Sequence, residues 1–540
     1  MRKTMDSNVS FDGVCIQGEW LPLPPSIMPV VIVKGSAYEM GYQYGRQVGH
    51  YIEMVKDAEW VEAIKTMHSL QEIERELQAA EHYIKKYAPE EIEWMEGVAD
   101  GATEDGYNVS FKDILIINTR VHPPTPFANH PSSAEMTRQE DCSIWAAWGK
   151  TTSDGSLICG DSKDEAYSYQ VLTVAFPDYG NAYMTTARAG EISQHFSMNN
   201  KGLFIGASGA PGERDTARDY GIPYPCTFSH LAQFSNNAKE AKEALSSWNI
   251  YWYRGLNYTF ADTHRNAFVV ELTAALKSIR VPGQFGERDF IFATNNFLNE
   301  EMKPFAEGTT YCVENSLSSN KQIHSFLSEY QGNIDTKFAM MMWRYPGYQR
   351  IGNLKNHRVV IALPREGDNG EAYICTGSAS WRGYPTYASG PGPFPGRSNS
   401  ADRAGHDYLI APTYSFYKIE LSSNPETVVA STGDAAQDAI AMAYDELRMR
   451  QFTDPGVAAL NEMYSQAASE RFEGRIAFNK GLLAKRGRAL SYLSHAATAF
   501  TRAQVHAQQV YNALVPPPTC PEDLGLGPLL DGKTLKESPF

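Results

Sequence analysis

The spacing of apolar residues divides the chain into three stretches. Over residues 38–101, apolar positions recur every three or four residues among Glu and Lys, which predicts amphipathic helices. Over residues 142–363 the apolar residues instead form short runs typical of strands, with two helical patterns between them. Over residues 434–515 a long helical periodicity returns. Sheets covered by helices, an α+β fold, are the expected product of this order.

The predicted strands, helices and connectors divide the chain into three segments. The strand-like runs are 142–148, 157–159, 170–176, 203–206, 258–260, 267–272, 290–293 and 359–363, and the helices between them are 238–248 and 321–330. Residues 121–139 and 377–404 are rich in Pro, Ser and other loop-forming residues, which indicates exposed connectors. We therefore predict a helical region over 1–141, a core over 142–400 and a mainly helical extension over 401–540.

Composition narrows the class of protein. The 540 residues exceed the size at which one hydrophobic core usually stops growing, and 42% hydrophobic with 21% charged residues is typical of a packed globular chain. No stretch approaches the roughly 18 apolar residues of a membrane span, and the first residues lack the apolar run of a signal peptide. We expect a cytoplasmic protein without a membrane partner.

The net charge and the patterns of cysteine and histidine argue against nucleic-acid binding and against metal sites. A formal net charge of -15 would repel a phosphate backbone, so nucleic acid is not an expected partner. Seven cysteines without a CxxC pair argue against a disulfide framework and a cysteine-ligated metal. The thirteen histidines form no HExxH motif. We expect neither a metal nor a cofactor.

Cys142 is the residue with the most chemistry to offer. If the turn signal Ser153-Asp154-Gly155 closes a hairpin near Asp154, Cys142 lies roughly opposite Ala166, with Asp164 a diagonal step away. A thiol needs a base to become a nucleophile, and no histidine lies near Cys142 in sequence. Cleavage of the Asp141-Cys142 bond would supply one, because a terminal α-amine titrates near pH 7.7 to 8.0. From the hairpin alone, a small buried core residue is the favoured interpretation.

Several motifs that follow one another along the chain favour a catalytic Cys142 over a core residue. They are GSAYEMGYQYG at 35–45, EGVADG at 96–101, DCS at 141–143 followed by SDG at 153–155, GDSKD at 160–164, MNNKGL at 198–203, AD at 261–262, Glu271, and TN at 294–295. In this order and spacing the chain resembles the acyl-coenzyme A:6-aminopenicillanic acid acyltransferase family, self-cleaving N-terminal-nucleophile enzymes distantly like penicillin V acylases and bile-salt hydrolases.

This resemblance implies a fold and a site. The fold is a four-layer αββα sandwich with a helical N-terminal propeptide region and a helical C-terminal extension. Cys142 is the nucleophile, freed by cleavage after Asp141; Asp164 orients the new amine or thiol, and Asn295 donates to the oxyanion. The residues implied for substrate binding are Ser143, Asp161, Ser319 and Asn320. Asp161 stands where relatives often carry Arg or Gln, and Ser319-Asn320-Lys321 lacks the arginine of their serine-arginine pair.

The implied activity is hydrolysis of a small N-acyl amide or amino-acid conjugate through a thioester on Cys142. Acyl transfer to an amine, with an acyl-coenzyme A donor, is the first alternative, and a non-catalytic binding or assembly protein is the second. Self-cleavage would give an α/β heterodimer, with a higher oligomer open. Ser208 in Gly206-Ala-Ser-Gly209 is a rival nucleophile, although it lacks a full G-x-S-x-G motif. Aromatic residues that could line an acyl pocket, but are more often core, are Trp145, Trp148, Trp248, Tyr251, Trp252 and Tyr253.

Overall fold

A computed structural model describes most of the chain. The described residues are 13–16, 19–22, 28–67, 69–119, 142–164, 169–210, 220–251, 255–274, 276–305, 313–345, 356–376, 415–449 and 455–528. The predicted connectors 121–139 and 377–404 lie outside these ranges. Across the described ranges, no helix combines the length and apolarity needed to cross a bilayer.

Two large sheets form the centre of the molecule. The eight-stranded sheet contains β3 (Val30–Gly35), β6 (Gln170–Pro177), β7 (Tyr183–Arg188), β8 (Phe196–Asn199), β9 (Leu203–Ala210), β12 (Gly255–Asp262), β13 (Ala267–Leu272) and β14 (Lys277–Arg280), in the order β14-β13-β12-β9-β8-β7-β6-β3. The six-stranded sheet contains β4 (Ser143–Ala147), β5 (Ile158–Asp164), β15 (Phe290–Ala293), β16 (Asn356–Leu363), β17 (Gly370–Thr376) and β18 (Tyr417–Leu421), in the order β15-β4-β5-β16-β17-β18. Small pairs are formed by β1 (Gly13–Ile16) with β2 (Glu19–Pro22) and by β10 (Ile222–Pro223) with β11 (Ile250–Tyr251).

Helices cover the outer faces of both sheets. The eight-stranded sheet carries α1 (Ala37–Thr66), α2 (Leu70–Tyr87), α3 (Glu90–Glu104), α4 (Phe111–Thr119), α5 (Phe228–Phe234) and α6 (Ala238–Ser247). The six-stranded sheet carries α7 (Val313–Glu329) and α8 (Thr336–Arg344). A third core lies between the sheets, and β4 shows the alternation: Ile144 and Ala146 face this inner core, whereas Trp145 and Ala147 face α7 and α8. The predicted α+β fold with four αββα layers is confirmed.

Two of the sequence motifs pack against each other. Gly41 and Gly45 of α1 lie against the backbone of α3, and Gly97 and Gly101 of α3 lie against the backbone of α1. A Cβ at Gly45 would lie 2.1 Å from the carbonyl oxygen of Val98. Only glycine permits this backbone-to-backbone approach. The glycine spacing in 35–45 and 96–101 therefore fixes the packing of two helices.

The C-terminal helices are α9 (Pro425–Arg448), α10 (Pro455–Leu483) and α11 (Arg486–Leu514). Side chains of α11 cover the outer edge of β3: Thr498 Oγ1 accepts from the Val30 N–H at 2.9 Å, and Ser494 Oγ accepts from the Ile32 N–H at 2.8 Å. At the edge of β18, Gln504 accepts from the Lys418 N–H at 2.7 Å and donates to the Lys418 carbonyl at 3.0 Å. These contacts satisfy edge groups that would otherwise pair with another strand.

The three predicted segments share their sheets. The region 1–141 contributes β3, which pairs in parallel with β6, and the extension 401–540 contributes β18, which pairs with β17. Each flanking segment therefore supplies an edge strand to the core as well as helices that cover it.

Candidate active site

Cys142 is buried immediately before β4, at one end of the six-stranded sheet. β4 pairs with β5 so that Ser143 lies opposite Ser162, and the Ser143 N–H donates to Ser162 Oγ at 3.2 Å. The next position opposite Cys142 is thus Lys163, and the predicted pairing with Ala166 was wrong by three residues. The cause is the ten-residue connection 148–157, whose midpoint precedes Asp154.

The other neighbour of β4 is β15, and it brings Asn295 to Cys142. Ala293 pairs with Ile144 in antiparallel register. Continued by two residues, this register sets Asn295 opposite Cys142. Both residues follow the alternation of Ile144 and Ala293, whose side chains lie between the two sheets. Cys142 and Asn295, 153 residues apart in the chain, therefore flank the paired ends of these strands, one residue before β4 and two residues after β15.

The Asn295 side chain is fully buried and held by the opposite sheet. Its Nδ2 donates to the Gly209 carbonyl at 2.7 Å, and its Oδ1 has no hydrogen-bond partner among the described residues. Asn257 of β12 donates from one Nδ2 to the carbonyls on both sides of Asn295, at 2.7 Å to Thr294 and 2.9 Å to Asn296. These bonds fix the backbone that carries the amide.

Ser208 and Asn320 complete this support. The Ser208 hydroxyl, fully buried on β9, donates to the Thr294 carbonyl at 2.7 Å, which favours a positioning role over that of a rival nucleophile. On α7, Asn320 Oδ1 accepts from Thr294 Oγ1 and Nδ2 donates to Asn296 Oδ1, both at 2.8 Å. Of the two predicted substrate residues on α7, Asn320 therefore joins the Asn295 turn, while Ser319 is buried beside it in sequence.

Fully buried charges occupy the inner face of β5 and β16. Arg358 of β16 forms an ion pair with Asp161, and its guanidinium also donates to the Gln194 carbonyl at 3.3 Å. Lys163 donates to Gln194 Oε1, and Gln194 Nε2 donates to the Tyr224 hydroxyl at 2.9 Å. Gln194 therefore links both cations to the eight-stranded sheet.

Burial raises the pKa of two side chains on β5, Asp161 and Cys159. It raises the pKa of the Asp161 carboxyl to about 6, although Arg358 and Lys163 oppose the shift. Burial also raises the pKa of the Cys159 thiol on β5 well above its usual value, so this cysteine is protonated at neutral pH. Cys159 packs in the core between the sheets.

Two predicted residues fall partly or wholly outside the described part of the chain. Asp141, the residue before the predicted cleavage point, lies outside it. Asp164 ends β5 and pairs with Asn356 of β16, and its side chain is not among those described. Their proposed roles remain predictions.

Three of the aromatic residues considered for an acyl pocket lie in three different hydrophobic cores. Trp145 packs against α7 and α8, Trp148 lies between the sheets, and Trp248 lies under the helices of the eight-stranded sheet. For these three the core interpretation holds. Trp252, Tyr253 and the Tyr251 side chain lie outside the described residues.

Comparisons with known proteins agree with the motifs. Residues 160–349 match the sequence model of the acyl-coenzyme A:6-aminopenicillanic acid acyl-transferase family. An uncharacterized protein from Archaeoglobus fulgidus is 24% identical over 371 residues, which are 62% of this chain and 60% of that protein. The chain therefore spans less than two thirds of this relative's length.

Three solved structures have low similarity to the chain. An N-acylethanolamine-hydrolyzing acid amidase ortholog of Caenorhabditis elegans is 13% identical, covers 41% of this chain and 93% of its own, and has a TM-score of 0.31. A single-substitution variant of conjugated bile acid hydrolase from Clostridium perfringens is 13% identical, with coverages of 44% and 89% and a TM-score of 0.30. Penicillin V acylase from Agrobacterium tumefaciens is 10% identical, with coverages of 43% and 82% and a TM-score of 0.29. The resemblance predicted from the ordered motifs is confirmed over residues 160–349, which match the acyl-coenzyme A:6-aminopenicillanic acid acyl-transferase family and so support an enzyme.

Proposed function

We propose that the protein is a self-cleaving cysteine amidohydrolase whose nucleophile is Cys142. The observation that supports the proposal is the register of β4 and β15: continued beyond its last pair, Ala293 with Ile144, it sets buried Cys142 opposite buried Asn295. A thiol and an amide donor at adjacent strand ends are the two groups that acyl transfer needs. The family match over residues 160–349 supports the same class of chemistry.

Self-cleavage begins with attack of the Cys142 sulfur on the Asp141 carbonyl carbon. The C–N bond breaks, the Cys142 nitrogen takes a proton, and the Asp141 acyl group is left on sulfur as a thioester. Water hydrolyses this thioester to an Asp141 carboxylic acid and restores the thiol. The products are a chain ending at Asp141 and a chain beginning with the α-amine of Cys142.

In turnover that amine takes the proton of the Cys142 thiol, and the sulfur attacks the substrate amide carbonyl. One N–H of Asn295 Nδ2 bonds to Gly209, and the second is available for the tetrahedral oxyanion. Collapse of the intermediate expels the amine product with a proton and leaves a thioester on Cys142. Water then releases the carboxylic acid. Asp164 is proposed to orient the amine or thiol.

Intact mass and activity test this proposal together. Wild type should yield chains of residues 1–141 and 142–540, whereas Cys142→Ala should remain one inactive chain. Cys159→Ala is the matched control, because Cys159 is a buried thiol on the neighbouring strand. It should cleave and turn over as wild type does. A fully active wild type that stays in one piece would refute self-cleavage.

Substrate choice is tested with N-acyl amides, β-lactam conjugates and amino-acid conjugates. Hydrolysis predicts a free carboxylic acid as the product. The family description names an acyl-coenzyme A donor, so acyl transfer is the second candidate. It predicts a new N-acyl amide when such a donor and an amine are supplied. Equal turnover by wild type and Cys142→Ala would reject Cys142 as the nucleophile in both candidates, and no turnover of any substrate by wild type would leave a binding or assembly role.

A further inference from the structure

The last three turns of α10 carry an exposed apolar stripe. Phe472, Ile476 and Leu483 recur at helical spacing on its outer face, with exposed fractions of 65%, 41% and 88%. Leu482 beside them is 54% exposed. Large apolar side chains grouped on one helix face in this way mark an interaction surface rather than scattered surface residues.

The charge around this stripe is opposite to that of the whole protein. Residues 474–489 contain five basic residues and no acidic one, in a chain with a net charge of -15. Four of them, Arg475, Lys480, Lys485 and Arg488, are exposed, and none takes part in the ion pairs found among the described residues. Upstream, Glu470 and Glu473 are paired with Arg502 of α11. The positive charge at the tip of the α10–α11 hairpin is thus directed to solvent.

We propose that this hairpin tip, residues 472–488, docks on an anionic lipid surface. An apolar helix face flanked by Lys and Arg is the pattern of helices that lie in a membrane interface. Leu482, Leu483 and Phe472 enter the boundary between headgroups and acyl chains, while the basic side chains contact the anionic headgroups. The sequence-based expectation of no membrane partner rested on the lack of a spanning segment, which is a different relation to the bilayer.

The same features disfavour other partners. A second copy docked tip to tip would bring two positively charged surfaces together. Nucleic acid would leave Leu482, Leu483 and Phe472 exposed. A protein interface of standard size takes about 20 to 30 residues from each side, more than one hairpin tip offers. A lipid surface needs no complementary pocket and accepts a projecting apolar tip.

Co-sedimentation of the full-length protein with lipid vesicles tests the proposal. Vesicles of phosphatidylcholine mixed with phosphatidylserine should bind the protein at low salt, and phosphatidylcholine alone should bind it at least roughly tenfold more weakly. Binding should fall as salt shortens the screening length from about 10 Å at 0.1 M to about 3 Å at 1 M. Because the chain as a whole carries a net charge of -15, binding to anionic vesicles that weakens with salt would identify a local basic surface.

Two double variants separate the apolar and the basic contributions. Leu482→Ser with Leu483→Ser, and Lys480→Glu with Lys485→Glu, should each lower the partition coefficient by roughly tenfold or more. Val61→Ser with Ile64→Ser on α1 is the control, since these residues are 50% and 57% exposed and have acidic neighbours. This variant should bind vesicles as wild type does.

Several results would overturn the proposal. They are no binding to phosphatidylserine vesicles at low salt, equal binding to phosphatidylcholine alone, or unchanged binding by both tip variants. A dimer in light scattering that the leucine variant abolishes would assign the tip to a second copy instead. Circular dichroism establishes that the variants are folded, so that lost binding reports the surface itself.

Discussion

Replacing Asn257 can distinguish a displaced Asn295 side chain from a general loss of stability. Asn257→Ala removes the amide that holds both carbonyls flanking Asn295, at 2.7 Å and 2.9 Å. Asn118 is a matched control: it is equally buried and its Nδ2 also donates to two carbonyls, at 2.9 Å to Ile114 and 2.8 Å to Gly190. A buried acceptor left without its donor costs about 1–3 kcal/mol, so both alanine variants should lose a few kcal/mol of unfolding free energy.

Of the two variants, only Asn257→Ala should also lower kcat. One oxyanion donor is worth about 2.7–4 kcal/mol, so displacing Asn295 should lower kcat by roughly 10²–10³-fold with a much smaller effect on KM. The assay is steady-state hydrolysis of the most active N-acyl amide, run beside thermal unfolding of both variants. Equal kcat values in Asn257→Ala and Asn118→Ala, with Asn295→Ala inactive, would refute the positioning role and leave the proposed function standing.

Three further changes have defined outcomes. Asn295→Ala should lower kcat by roughly 10²–10³-fold and leave the circular dichroism spectrum unchanged. Burial raises the pKa of Asp161 from 3.8 to about 6, so the folded state binds this proton more tightly than the unfolded state. The stability gained from protonated Asp161 is fully present below about pH 4 and is lost as the pH rises through 6. The difference in unfolding midpoint between wild type and Asp161→Asn should therefore change between about pH 4 and 6 and stay constant above pH 6. Gly45→Ala should lower the midpoint because its Cβ would meet the Val98 carbonyl at 2.1 Å, whereas Gly487→Ala, with open space around it, should not.

Strands that carry a compact apolar run were the most predictable elements. β15 and β13 were bounded at their observed residues, and β6, β9, β12 and β16 within a few residues, because each carries a compact apolar run. The edge strands β3, β14 and β18 were missed, and so were the interior strands β7, β8 and β17. In β18 only alternate residues are fully buried, and its five residues include Lys418 and Glu420, so the sequence offers no continuous apolar run.

The site was predictable where it depends on motifs and unpredictable where it depends on long-range contacts. Cys142 and Asn295 were proposed from their motifs, and the structure adds the pairing of β4 with β15, whose ends the two residues flank. Arg358 was missed because its partner Asp161 lies 197 residues away in the chain. Asn257 was missed for the same kind of reason, since its contacts reach Thr294 and Asn296 across the two sheets. No local pattern encodes such pairs.

The sharing of sheets between segments has a consequence for the proposed cleavage. The region 1–141 supplies β3 to the eight-stranded sheet and the helices α1 to α4 that cover one of its faces. Buried contacts tie it to the rest of the chain: Asn118 donates to the Gly190 carbonyl and accepts from the Ile192 N–H, and Ser229 donates to Glu91 at 2.6 Å.

Release of this piece would expose a sheet edge and a large apolar face to water, which the loss of one peptide bond does not offset. After cleavage, the 1–141 and 142–540 chains should therefore elute together in native size-exclusion chromatography and separate only in denaturant. A 1–141 chain that elutes alone under native conditions would contradict this reasoning, because β3 and α1 to α4 would then not be needed to complete the fold.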